Sequence, residues 1–217
     1  MLEKYANQTA LTEVSDREDR DPFKILIATV LSHRTKDEVT SKASERLFAE
    51  YSNMASLAKG DLKRISDLIR PVGFYHTKAR RVREIARVLQ EKYDGVVPES
   101  MEELLTLPAV GRKTANCVLV YAFQKPAIPV DTHVHRISNR LGLVETKTPE
   151  ETEEALTKSI DRRYWLTIND LFVRFGQTIC KPIGPRCGIC SLKGGCRYYR
   201  EVVAPKVLAA PPKRSRR

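Results

Sequence analysis

No stretch of the 217 residues approaches 18 consecutive apolar side chains, so a membrane span is excluded. The opening MLEKYANQTALTEVSDREDRDP is polar and does not read as a signal peptide, and secretion is not expected. Strand signals are scarce. GVV at 95–97 and AIPV at 127–130 are too short and are bounded by proline, which argues against a sheet. No internal repeat is visible. Acidic residues are missing where bases gather: there is none from 180 to 200 and none after Pro205. Cysteine is sparse too, with five in all, of which four fall within 17 residues near the C-terminus.

The rest is a globular balance, 41% hydrophobic and 30% charged, in a chain long enough for one large domain or two smaller ones sharing a core. The formal net charge is +11. Lys206, Lys213, Arg214, Arg216 and Arg217 supply five of those charges, which leaves +6 on the body. That excess calls for a polyanionic partner such as nucleic acid.

Nearly every segment has helical patterning. Asp21-Pro22 offers an N-cap followed by proline at the first helical position, ahead of the apolar FKILIATVLS. Thr35-Lys36-Asp37-Glu38, Ser100-Met101-Glu102-Glu103 and Thr148-Pro149-Glu150-Glu151 match capping boxes. Val82, Ile85, Ala86, Leu89 and Tyr93 recur at helical spacing, with Lys78, Arg80, Arg81, Arg83 and Arg87 on the opposite faces and Gly95 at the expected stop. Nine or ten short helices follow from this reading. QKPAIPVDTHV, 124–134, is the expected domain junction, and the tail from Pro205 is expected to be disordered.

Three features carry chemistry. Cys180, Cys187, Cys190 and Cys196 are spaced C-x6-C-x2-C-x5-C in a loop too poor in apolar residues to pack by itself. Four thiolates at this spacing suit either a tetrahedral zinc or a cubane cluster, and the spacing leaves both open. Lys181, Arg186, Lys193, Arg197 and Arg200 would offset a negative cluster and could meet phosphate. The lone Cys117, in ANCVLVYAF, reads as a small core residue.

The second feature is LPAVGRKTANCVL, 107–119, where Pro108, Ala109, Val110 and Gly111 form a short turn between two helices. Amides at such a turn and at the next helix start can accept a phosphate without reading a base. Gly111 suits positive φ or close approach by a ligand. Lys113 follows at the helix start. It is either a solvated helix-end lysine or an amine nucleophile, whose pKa the helix dipole and partial desolvation would lower. The third feature is Asp131 in IPVDTHV. It reads as an N-cap, a role compatible with catalysis, while a metal site with His133 and His135 lacks a fourth ligand in the sequence.

LPAVGRKTAN, the 18-residue step from Lys113 to Asp131 in PVDTH, and the four-cysteine tail occur together and in that order. With them the chain, from about Asp21 to Cys196, resembles the endonuclease III family within the helix–hairpin–helix DNA glycosylase superfamily. The resemblance implies an all-α, two-lobed protein with DNA across the cleft between lobes and a [4Fe–4S] cluster on the cysteines. One lobe would be a six-helix domain, 22–130. The other would join 1–21 to 131–203 as the cluster domain, and 204–217 would be a basic disordered tail. Residue by residue, Lys113 matches the Schiff-base lysine, Asp131 the catalytic aspartate, and Pro108 to Arg112 the DNA-binding hairpin. Ala109 stands where the family usually has glycine, and positive φ there would strain the turn. LSHRTKDE, 31–38, matches the segment that fills the gap left by an extruded nucleotide, with Arg34 where bacterial members have glutamine. GFYHTKA, 73–79, matches the wedge loop, with Phe74 where leucine is common.

The implied activity is that of a bifunctional DNA glycosylase and AP lyase of base excision repair, removing oxidised pyrimidines and cutting 3′ to the abasic site. Its partner would be duplex DNA with damaged bases or abasic sites, with no membrane involved. A monomer in the cytoplasm, associated with the nucleoid if the source is prokaryotic, is expected. A monofunctional thymine or uracil mismatch glycosylase on the same scaffold would lack Lys113, as would an adenine-mismatch enzyme. A non-enzymatic DNA-binding module leaves Lys113 and Asp131 unexplained, and a zinc-ribbon protein accounts only for the cysteines.

Overall fold

A computed structural model of the chain describes residues 8–209, and among the described residues the regular elements are helices with no strand. Two compact units result. The larger holds 8–129 with 162–170, and the smaller runs from 130 to 161 and again from 171.

The larger unit contains α1 (Ala10–Arg17), α2 (Pro22–Ser32), α3 (Asp37–Glu50), α4 (Met54–Ala58), α5 (Leu62–Leu68), α6 (Tyr75–Lys92), the single turn α7 (Met101–Leu104) and α8 (Arg112–Tyr121). Helix α2 is apolar on all sides, so it is buried almost throughout, from Phe23 to Leu31, and packs on α1, α3, α6 and α8. Asp21 accepts from the Phe23 and Lys24 amides and so fixes where α2 begins. Helix α6 buries Val82, Ile85, Ala86 and Leu89, and stops where Gly95, at φ +76°, donates its amide to the Leu89 carbonyl. Cys117 is fully buried in α8, among the core residues.

Two local expectations are corrected here. Helix α3 starts at Asp37 on Lys36, without a side-chain cap, because the Thr35 hydroxyl is engaged elsewhere: it donates to the His33 carbonyl and accepts from Lys78. The segment 1–21 is expected with the cluster domain, yet α1 packs on α2, α3 and α8. Ala10, Leu11 and Val14 are buried, and the Ser15 hydroxyl donates to the Tyr121 carbonyl. The Thr9 and Thr12 hydroxyls donate to Asp170 in the same unit. An amphipathic helix goes where its apolar stripe can be covered.

The smaller unit contains α9 (Thr132–Leu141), α10 (Pro149–Ser159), most of α11 (Ile168–Thr178), the cysteine loop, one π-helical turn (Tyr199–Val203) and α12 (Ala204–Ala209). Thr148 and Glu151 form a reciprocal capping box on α10. A polar seam joins α9 to α10: His135 Nδ1 lies 2.7 Å from Thr152 Oγ1, and the Asn139 amide nitrogen donates to Thr146 Oγ1 at 3.1 Å. Helix α12 occupies the first residues of the segment expected to be disordered; the end of the basic tail, 210–217, lies outside the described residues.

Candidate active site and DNA interface

The hairpin turn runs from Leu107 to Gly111, with the Val110 amide donating to the Leu107 carbonyl at 3.2 Å. Ala109 holds φ +60°, so the left-handed position falls on an alanine. Gly111 is instead extended, at φ −104° and ψ 178°. Its merit is emptiness: a Cβ there would meet nothing within 4 Å, and the N-cap of α8 has no side-chain hydrogen bond. The first-turn amides of α8 therefore have no side-chain cap, an arrangement suited to an anion. Val110 is buried and Pro108 half-buried, while Ala109, Gly111 and Arg112 are exposed.

Lys113 is the second residue of α8 and is half-buried; the next residue, Thr114, is buried. Thr114 Oγ1 lies 3.2 Å from His33 Nε2. Burial pushes the His33 imidazole down to about 4, reinforced by the positive charges of Lys113, Lys78 and Arg81. The ring is thus neutral at physiological pH.

Below His33 lies a residue whose role the sequence reading missed. Lys78 is only 4% exposed, and its amine donates to the Leu31 and His33 carbonyls and to Thr35 Oγ1. It caps the C-terminal end of α2 from the side and ties the 33–35 loop to α6. Burial pushes its pKa down to about 8, with Arg81 adding to the shift. The spacing did hold a clue, because Lys78 stands four, seven and eleven residues before Val82, Ile85 and Leu89, on the apolar stripe itself.

Arg34 and Phe74 both adopt the left-handed region, at φ +52° and φ +58°. Both are exposed, and with His33, Thr77, Lys78 and Arg81 they line one cavity. Phe74 occupies the N-cap position of α6 and is 66% exposed, an unusual place for a large apolar ring.

Asp131 lies in the smaller unit, Lys113 in the larger. The Asp131 carboxylate caps α9 by accepting from the His133 and Val134 amides at 2.9 and 2.8 Å. Both bonds go to Oδ1, so the cap leaves Oδ2 outside it. His135 turns to Thr152, and His133 Nδ1 lies 3.2 Å from an Arg136 nitrogen. Asp131, His133 and His135 do not form a metal site.

The four cysteines share one cavity, walled by Phe175, Ile179, Tyr198 and Arg140. Cys180 follows α11, and its amide reaches the Phe175 carbonyl at 2.9 Å. Two 3-10 turns, Cys187–Ile189 and Lys193–Gly195, each end on a cysteine, Cys190 and Cys196. Arg140 reaches into this loop: it lies 3.5 Å from Cys180 Sγ and donates to the Lys181 and Pro182 carbonyls. Its guanidinium also stacks 4.5 Å from the Tyr198 ring centre. Burial pushes the Cys187 and Cys190 thiols up, and neighbouring cysteine charges add to the effect. No residue from 180 to 200 is buried, so no apolar core orders this loop. Among the described residues, no group of three or more His, Cys, Asp or Glu side chains is arranged to hold a single metal ion.

Known proteins match this chain. The family model of the HhH-GPD superfamily of base excision DNA repair proteins matches residues 27–162. Endonuclease III of Thermotoga maritima is 54% identical over 200 residues, 92% of this chain and 94% of that protein. The chloroplastic endonuclease III homolog 2 of Arabidopsis thaliana is 45% identical over 80% of this chain, which spans about half (47%) of the plant protein. A solved structure of a trapped endonuclease III–DNA covalent intermediate matches with a TM-score of 0.79 at 37% identity, covering 88% of this chain and 94% of that one.

Proposed function

The chain belongs to the endonuclease III branch of the HhH-GPD superfamily of base excision DNA repair proteins, and on that premise we propose that Lys113 forms the covalent bond to DNA while Asp131 steadies the charge. It is a DNA glycosylase with AP lyase activity that binds damaged duplex DNA. The observation that carries the assignment is a half-buried lysine in the first turn of α8, where the N-cap Gly111 supplies no side-chain hydrogen bond to the helix amides.

A stacked base cannot be attacked, so the damaged nucleotide is extruded, with Phe74 as the wedge and Arg34 in the vacated space. Pro108 to Arg112 hold the backbone through amides and the Arg112 charge. The neutral Lys113 amine attacks C1′, and the bond from C1′ to the base breaks as the base leaves with its electron pair and gains a proton. Asp131, its carboxylate oriented by two amides, opposes the positive charge on the sugar and helps deprotonate the amine. The sugar ring then opens, the C1′–O4′ bond breaking as the nitrogen gives up a proton and O4′ gains one, and the resulting imine acidifies the C2′ proton. Loss of that proton expels the 3′ oxygen, and the strand is cut. Oxidised, ring-saturated pyrimidines are the proposed bases. The proposed setting, for a prokaryotic source, is the cytoplasm in association with the nucleoid, with the protein acting as a monomer.

Cys180, Cys187, Cys190 and Cys196 would hold a [4Fe–4S] cluster, which when bound orders the loop and carries no step of the reaction. The fit rests on their shared cavity and the absence of acids from 180 to 200, where Lys181, Arg186, Lys193, Arg197 and Arg200 would offset the negative charge of a cluster on four thiolates. A mismatch glycosylase without lyase activity would have no use for Lys113.

Borohydride trapping is the test, because only an imine is reduced to a stable adduct. Wild-type protein should trap on lesion duplex. Lys113→Gln should lose trapping and the strand cut while still binding, and robust trapping by that variant would reassign the nucleophile. In the same assay Asp131→Asn, which keeps the cap but not the charge, should slow base release by about a hundredfold or more, roughly 3 kcal/mol.

A further inference from the structure

On the other side of the α6 start lies a second charged groove, of about 450 Å³, between α5 and α6. Lys63, Asp67, Arg70, Tyr75, His76 and Arg80 line it. The cations here differ from their neighbours. Arg64, also on α5, is paired with Glu50, and Arg87, further along α6, with Glu91. Lys63, Arg70 and Arg80 are exposed and have no carboxylate within 4 Å among the described residues. Asp67 is the one acid in the lining, so the groove carries two positive charges in excess, with His76 counted as neutral. The Tyr75 and His76 rings lie 4.1 Å apart at 33° and add a flat wall. Three unpaired cations with aromatic surface suit a sugar–phosphate backbone better than an acidic side chain, because successive phosphates repeat the charge along the groove.

Position favours the same occupant. Phe74 lines the cavity that holds Arg34 and Arg81, and its chain neighbour Tyr75 lines this groove. A wedge that parts a duplex leaves DNA on both of its sides. We propose that the α5–α6 groove binds the phosphodiester backbone of the duplex beyond the Phe74 wedge, through Lys63, Arg70 and Arg80. This rests on the reading of the chain as an enzyme of damaged duplex DNA and adds a second contact surface to it. The contact is independent of sequence, so it raises affinity for every duplex and helps hold the duplex in place while the wedge distorts it.

Salt dependence tests this directly. Affinity for a duplex carrying a tetrahydrofuran abasic analogue is measured from 50 to 200 mM salt. Each phosphate contact removed should lower the slope of log K against log salt by about 0.9, so Lys63→Gln/Arg70→Gln/Arg80→Gln should lower it by about 2 to 3. The affinity of that triple variant at the upper end should fall about tenfold or more, by the same release of counterions. Arg87→Gln, whose guanidinium already has a partner, should change neither. Shortening the duplex on the wedge's far side should weaken wild type and leave the triple variant nearly unaffected. A folded triple variant with wild-type slope and affinity overturns the proposal, and so does a groove that captures a polyglutamate peptide while DNA affinity stays unmoved. The single variant Arg70→Gln, expected to lower the slope by about one, serves if the triple variant melts early. Failure of wild type to trap with borohydride would instead overturn the underlying enzymatic reading.

Discussion

Ala109 illustrates how a single backbone angle can be read for function. It sits at φ +60° in the hairpin turn, a region that costs an L-residue roughly 1–2 kcal/mol, and its side chain is exposed, so packing does not repay the strain. Glycine at this position would relieve the strain but lose more chain entropy on folding, about 0.5–1 kcal/mol. Ala109→Gly should therefore stabilise the protein by about 0.5–1 kcal/mol, a rise in melting temperature of about 1–3 °C by calorimetry. A fall would mean that the methyl group makes a contact worth more than the strain. The strained position was legible from the sequence, because a family pattern marks it. Gly111 was not legible in the same way: glycine signals either left-handed backbone or empty space, and only coordinates show that here it is space.

At the level of elements, most boundaries were legible because they are local. The caps Asp21, Ser100, Asp131 and Thr148 each accept the amides their spacing predicts. What escaped was long-range. Thr35 reads as a cap until a lysine 43 residues away claims its hydroxyl, and α1 reads as part of the wrong unit until its apolar face is seen against α2, α3 and α8. Lys78 links α6 to the loop that bears Arg34, so its loss should be felt in both. Lys78→Met keeps the aliphatic stem but strands the Leu31 and His33 carbonyls, and should destabilise the protein by roughly 1–3 kcal/mol. Lesion-duplex binding should weaken more than cleavage of an abasic site in a flexible strand. The pH dependence has a definite sign. The folded amine titrates near 8, below its ordinary value of 10.5, so the folded state releases that proton first and stability rises with pH across this window. Denaturation of wild type from pH 7 to 10.5 should show that increment, and Lys78→Met should lack it. An identical pH profile in both proteins would remove Lys78 from the account.

Across the whole molecule, the two units keep their order by different means. The larger unit has a continuous apolar core built around α2, with Ile25, Leu26, Ile27 and Leu31 fully buried. The cysteine loop has no such core, since no residue from 180 to 200 is buried, and its backbone turns are single 3-10 turns ending on Cys190 and Cys196. Arg140 binds two carbonyls of the loop, but those bonds are worth about 1–3 kcal/mol each at most, against a backbone ordering cost of about 1–2 kcal/mol for every residue fixed. The proposed cluster would supply the missing constraint by tying four points of the loop together. Protein purified anaerobically should therefore be yellow-brown and hold about four irons per chain, as a cubane on four thiolates requires. Cys190→Ser should lose the iron, whereas Cys117→Ser, a change within the core of α8, should keep it. Chelation of the iron should raise hydrogen exchange over residues 180–200 while the amides of α2, α6 and α8 stay protected, because their burial owes nothing to the metal. A colourless, zinc-loaded preparation with the loop equally protected would show that a single ion suffices, and would overturn the cluster assignment without touching Lys113.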